Sequence, residues 1–242
     1  MRPDQYRSKE EYVHAVFSSI AHRYDFLNTA LSFNRDKYWR KFAVKLTGLT
    51  PGGEGLDVCC GTGMLTLELA KAAGLKGRVV GVDFCADMLA KAVVNIGGTP
   101  YREVIELVEG NALSLPFPEN TFDCATIGFA LRNVPDIRKT IDEMRRVVKP
   151  GGKVVSLEFA KPGIPVFKQI YYFYLNCVIP VLGRLGAGLS GPYKWLPESL
   201  KMFPHQSEIR DIFTDAGLTG ACYYELTGGI VAVHVGEKRH GL

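Results

Sequence analysis

A chain of 242 residues, 47% hydrophobic and 22% charged, can bury a core. That excludes a disordered segment and fits one α/β domain with length to spare for a lid or insertion. The formal net charge of +4 is spread along the chain, so no nucleic-acid partner is expected, although a weakly basic surface suits anionic lipid.

The first eleven residues are polar and charged, with no secretory pattern. A helix is predicted over 10–21, with Tyr12, Val13, Val16, Phe17 and Ile20 on one face, and a second over 36–46. The Thr50-Pro51-Gly52-Gly53 loop follows. Strand and helix then alternate: strand 55–59, helix 64–73, strand 78–83, helix 86–95, strands 104–108 and 122–128, helix 136–148 capped by Asp136, strand 153–159. Such alternation predicts a parallel, doubly wound sheet. From 161 to 204 it stops, in a proline-, glycine- and aromatic-rich insertion with one predicted helix. The apolar run 170–182 there is too short to span a bilayer and contains Pro180. A helix over 206–216 and strands 221–226 and 230–235 close the chain, with Thr227-Gly228-Gly229 turning an antiparallel hairpin. The expected division is one domain, 1–242, made of a helical lid (1–48), a ligand-binding core (49–160), a substrate-side insertion (161–204) and a final helix and hairpin (205–242). The six cysteines include one adjacent pair, Cys59-Cys60, and no Cys-x-x-Cys. Reduced thiols in a cytoplasmic chain are expected, and no metal site.

The segment from Leu56 to Gly63 ends a strand and opens a helix, where a doubly wound sheet forms its ligand crevice. Gly61 and Gly63 permit positive φ and close backbone approach, but a lone Gly-x-Gly is as often a tight turn. Asp57, just before the bend, is poor company for a pyrophosphate and good company for a cation bearing an ammonium and a sulfonium. The third glycine of the dinucleotide pattern is absent. Asp83 ends the next strand twenty residues past Gly63, where an acid takes two ribose hydroxyls or merely caps. Asn111 can pair with an adenine edge or make a turn. Met88 offers an apolar wall, or core. These residues point to S-adenosyl-L-methionine as cofactor and argue against a nicotinamide dehydrogenase.

Several blocks are more specific: Tyr24-Asp25-Phe26-Leu27-Asn28 with Ser32 and Trp39; Asp57 to Gly63; Phe129-Ala130-Leu131-Arg132-Asn133-Val134; the run from Arg146 to Gly152 leading on to Leu157-Glu158; Leu196-Pro197-Glu198-Ser199; and Thr227-Gly228-Gly229-Ile230. On these, the chain from about residue 8 to 238 resembles the C-methyltransferases of menaquinone and ubiquinone biosynthesis. The likeness is greatest to their demethylmenaquinone branch in Gram-positive bacteria, notably at 57–62 and 169–174. The resemblance implies a Rossmann-like class I methyltransferase fold, with a seven-stranded, mostly parallel sheet, one antiparallel strand and helices on both faces. It implies methyl transfer from S-adenosylmethionine to demethylmenaquinol, and carries over Thr62, Asp83, Asn111 and Ala112 as cofactor residues. Leu27, Asp36 and Gly128 depart from the family's usual Met, His and, in some members, Ser; at Gly128 only backbone contact with the cofactor remains.

A ring carbon is a poor nucleophile unless a neighbouring hydroxyl ionises, so the acceptor is expected to be the reduced, lipid-soluble quinol. Arg132 and Asn133 are placed to stabilise its phenolate, or Arg132 pairs with a structural carboxylate. Tyr24, Asp25, Tyr193 and His205 are the candidate bases. The aromatic stretch 167–182, with Lys168 and Arg184 at its ends, suits transient contact with a membrane surface, or else a lid or homodimer interface. The expected location is the cytoplasm, peripheral at the inner face of the cell membrane. Alternatives are a benzoquinol precursor of ubiquinone, another soluble small molecule, or a cofactor-binding subunit without chemistry.

Overall fold

One sheet of seven strands organises the chain, in the order β3-β2-β1-β4-β5-β7-β6. The computed structural model describes residues 6, 8–22, 24–174, 177 and 191–240. The strands are β1 (Glu54–Val58), β2 (Arg78–Asp83), β3 (Ile105–Glu109), β4 (Phe122–Gly128), β5 (Val148–Phe159), β6 (Leu218–Leu226) and β7 (Val231–Lys238). Neighbours from β3 to β5 are parallel, while β7 runs antiparallel to both β5 and β6. β1 and β2 are buried along nearly their whole length, as continuous apolar strands covered on both faces must be.

Helices α3 (Asp36–Thr47), α4 (Met64–Ala73) and α5 (Ala86–Gly97) cover one face; α6 (Ile137–Val147) and α9 (Gln206–Asp215) cover the other. Asp136 caps α6 by accepting from the Lys139 amide, as its position after Pro135 predicts. Over the carboxyl ends of the strands lie α1 (Lys9–Ile20), α2 (Tyr24–Leu31), α7 (Pro165–Phe173) and α8 (Gly191–Met202). Lys9 Nζ donates to the carbonyls of Arg132 and Val134 beyond β4, and the Tyr12 ring meets Trp195 of α8 edge to face.

Three elements differ from the sequence expectation. α2 had no predicted counterpart: it is two turns long and leaves Phe26 72% exposed, so it lacks the long apolar stripe that betrays a helix. β5 begins at Val148 rather than 153, because a register shift between Phe122 and Cys124 of β4 absorbs the Pro150-Gly151-Gly152 stretch that reads as a turn. Among the described residues two helices, α7 and α8, stand where one was expected, and α8 contains Pro197. Much of the aromatic stretch 167–182 lies outside the described residues. Among the described residues no helix is long and apolar enough to cross a membrane.

Candidate active site

The strand order reverses between β1 and β4, and the crevice at that switch point is a cleft of about 1020 Å³, open mouth included. Its floor is the bend after β1. Cys59 and Phe129, at the ends of β1 and β4, both hold left-handed backbone (φ 55° and 57°) and both line the cleft. Two non-glycine residues held so at adjacent strand ends are strained in the manner of functional sites.

The two glycines of the bend serve different ends. Gly61 has φ 55°, lines the cleft, and a Cβ there would meet nothing within 4 Å, so its face is open to a ligand. Gly63 has φ 78°, but its Cβ would come within 3.0 Å of Ile96 and 3.2 Å of Ala92. It is glycine so that α5 can pack close, and not for ligand approach. Gly128 is likewise constrained from behind, since a Cβ would lie 2.9 Å from Leu65, although its backbone lines the cleft.

Asp83 reaches the cleft from the end of β2. It accepts from the Gly61 amide at 2.8 Å and the Cys85 amide at 2.9 Å. Burial raises its pKa while the amides of Cys85, Gly61 and Phe84 oppose that rise, and its side chain lines the cleft. Asp57 corrects the sequence reading: it does not line the cleft. Its carboxylate takes the hydroxyls of Thr66 (2.7 Å) and Thr126 (2.8 Å), and burial pushes its pKa to about 7. It ties β1 to α4 and β4 and offers no direct countercharge. Met88, Asn111 and Ala112 all line the cleft. Asn111 also makes the local turn, accepting from the Leu113 amide at 2.8 Å.

At the other end the structure sorts the acid–base candidates. Tyr24 lines the cleft; burial raises its pKa while Arg132, Asn28 and Arg40 oppose that rise, so the phenol is a donor rather than a base. Asp25 does not line the cleft: its two oxygens accept from Thr62 (2.5 Å) and Asn95 (2.8 Å), pinning α2 to the bend. His205 is an exposed N-cap of α9, paired in a capping box with Glu208, and stands outside the cleft. The side chain of Tyr193 lies outside the described residues. Arg132 meets the structural alternative: it is 8% exposed, bridges to buried Glu158 at 2.9 Å, and does not line the cleft. Asn133 lines it, but its Oδ1 accepts from the Trp195 indole at 2.9 Å.

Arg40 was missed. It lines the cleft beside Tyr24 and Asn28, and is 6% exposed. Its sequence signal is the i,i+4 spacing from Asp36, with which it pairs at 2.7 Å. Asp36 is itself buried and also accepts from Ser32 at 3.0 Å.

A glycine bend open to a cleft, an acid at the end of β2, and an antiparallel β7 between β5 and β6 define a Rossmann-like, S-adenosylmethionine-dependent methyltransferase. A solved methyltransferase of this kind from Aquifex aeolicus superposes with a TM-score of 0.60 over 81% of this chain and 88% of that one, at 21% identity, which speaks to fold alone. The model of the ubiE/COQ5 methyltransferase family matches residues 5–238, and the chain belongs to that family. It is 49% identical over 232 residues to the demethylmenaquinone methyltransferase of Desulfitobacterium hafniense (strain Y51), covering 96% of this chain and 92% of that protein. It is 44% identical to that of Bacillus subtilis (strain 168), covering 96% and 99%.

Proposed function

We propose that this protein transfers the methyl group of S-adenosylmethionine to a ring carbon of demethylmenaquinol, which loses its ring proton, giving menaquinol, S-adenosylhomocysteine and a proton. The observation that carries the reading is the mixed lining of one cleft: the Gly61 backbone and the Asp83 carboxyl supply polar surface, and Val13, Phe17, Phe129 and Leu157 supply apolar surface. Relatives of the same name at 44% to 49% identity over nearly the whole chain support the choice of acceptor.

The residues present fit the donor. Gly61 leaves space above the bend, and the Asp83 carboxyl lines the cleft as the acceptor for two ribose hydroxyls. Met88 flanks the adenine, and Asn111 and Ala112 meet its edge. The bound donor supplies an electrophilic methyl group. The chain's part is alignment, exclusion of water and stabilisation of negative charge on the acceptor. α1 and α2 close over the cleft. Tyr24 donates to an acceptor oxygen. Arg132 stands behind Phe129, yet its field reaches the Tyr24 phenol, so an ionised ring hydroxyl docked there is stabilised without direct contact. Asp25 and His205 are not the base, since neither lines the cleft.

Peripheral contact with the membrane belongs to the same proposal. Phe26, Phe33 and Phe173 are 72%, 78% and 64% exposed, and Phe33 lies 6.1 Å from Tyr174 at the end of α7. Aromatic side chains so placed suit an interface. The test is radiolabelled methyl transfer to short-tailed demethylmenaquinol, its oxidised quinone, and a ubiquinone-type benzoquinol. Only the reduced naphthoquinol should be methylated at speed. Equal rates with the quinone would defeat the phenolate mechanism, and preference for the benzoquinol would reassign the substrate.

A further inference from the structure

Among the described residues lining the cleft, one carries a permanent positive charge: Arg40. Among the described residues its guanidinium makes a single hydrogen bond, from Nη1 to Asp36 Oδ2 at 2.7 Å. A guanidinium has five N–H donors. The other four have no protein acceptor among the described residues, and Arg40 lines the cleft. A side chain 6% exposed, facing a cavity with most of its donors unused, requires an acceptor from whatever fills that cavity.

Its neighbours say which part of the ligand that is. Asp83, Met88, Asn111 and Ala112 form the end suited to an adenosine. Arg40 sits at the opposite end, with Tyr24 and Asn28. Its charge counters the upward push of burial on the Tyr24 phenol and on the Asp57 carboxyl, and its helix α3 packs against β4 and β5, across β1 from the strands β2 and β3 that lead to Asp83 and Asn111. The donor's amino-acid end carries a carboxylate that needs a cation once it leaves water. Arg132, the other guanidinium nearby, is already bound to Glu158.

We propose that Arg40 binds the carboxylate of the methyl donor's amino-acid end, with Asp36 fixing the guanidinium for the purpose. The inference rests on the methyl-donor reading of the cleft and is independent of which quinol is the acceptor. Asp36 is buried, and accepts from Thr29 and Ser32 as well as Arg40, so the pair is set before any ligand arrives.

The test is calorimetric binding of two probes to the full chain: S-adenosylhomocysteine, which keeps the carboxylate, and 5′-methylthioadenosine, which lacks the amino-acid end. Arg40→Gln should weaken the first about 30-fold or more and the second less than about twofold. Arg40→Lys keeps the charge and should fall between, and 5′-methylthioadenosine binding reports that each variant is folded. Unchanged S-adenosylhomocysteine affinity in Arg40→Gln, with or without a raised KM for the quinol, overturns the proposal by giving Arg40 to the acceptor or to neither. Equal loss of both probes also overturns it. Tight, Arg40-dependent S-adenosylhomocysteine binding without turnover of any quinol would leave this inference standing and sink the proposed acceptor instead.

Discussion

The sheet and the helices over its carboxyl edge are held by different kinds of contact. In the sheet, Leu56, Val58, Phe122, Ile127 and Val154 have no exposed surface and pack in one continuous cluster with α6 and α9. The cover has only small, separate apolar clusters, such as Tyr12, Val13 and Val16 against Trp195, and Tyr171 with Leu200, and adds to them a handful of directional polar pins: Lys9 to two carbonyls, Asp25 to Thr62 and Asn95, the Trp195 indole to Asn133, and the Tyr174 hydroxyl to the Leu31 carbonyl. Apolar burial scales with area, and all of it must be lost together. Single hydrogen bonds can be released one at a time, at about 1 kcal/mol each. A cover built this way opens locally at a fraction of the cost of unfolding, as admission of a bulky, water-insoluble acceptor demands.

The sharpest way to break that contrast is to damage each region and see where the loss is felt. Phe122 is fully buried and meets Phe117 edge to face at 5.1 Å. Phe122→Ala should cost about 3–5 kcal/mol in urea unfolding, across sheet and cover alike. A loss confined to one element would show that the sheet core is not a single unit. At the seam between the regions, Asp83→Ala should weaken S-adenosylhomocysteine binding by about 3 kcal/mol, roughly a hundredfold, because the ribose hydroxyls lose their acceptor. Unchanged affinity by calorimetry would remove Asp83 from the ligand site. The smallest effect belongs to the cover. Asp25→Ala releases the Thr62 and Asn95 bonds and should cost about 1–2 kcal/mol, seen as faster hydrogen exchange in α2 with the β1 and β4 amides unchanged. If the sheet amides speed up equally, the cover is no separate unit.

Where sequence reading succeeded and where it failed follows the same line. The bounds of α4, β2 and β4 are legible to the residue, because the two strands are mostly apolar, buried runs and α4 stands between Gly63 and Gly74. The opening of the cleft at Gly61 and Asp83 is legible too, since bend chemistry is local. Asp57, Arg132 and Gly63 show the limit. Asp57 reads as facing a ligand, and Arg132 and Gly63 read equally as ligand-facing or structural; packing gives each a partner distant in the chain, Thr126, Glu158 and Ile96 respectively. Arg40 is the converse case, ordinary in sequence and exposed to the cleft only because α3 packs beside β4 and β5.

By itself the sequence determined the alternation of elements, the sheet they must form, the glycine bend after β1 and the family. Those depend on periodicity, turn chemistry and residues within a few positions of one another. Which charged side chains face the cleft and which are neutralised behind it was decided only by tertiary structure. Ion-pair partners such as Arg132 and Glu158 are brought together by packing, and nothing in their spacing along the chain reveals it.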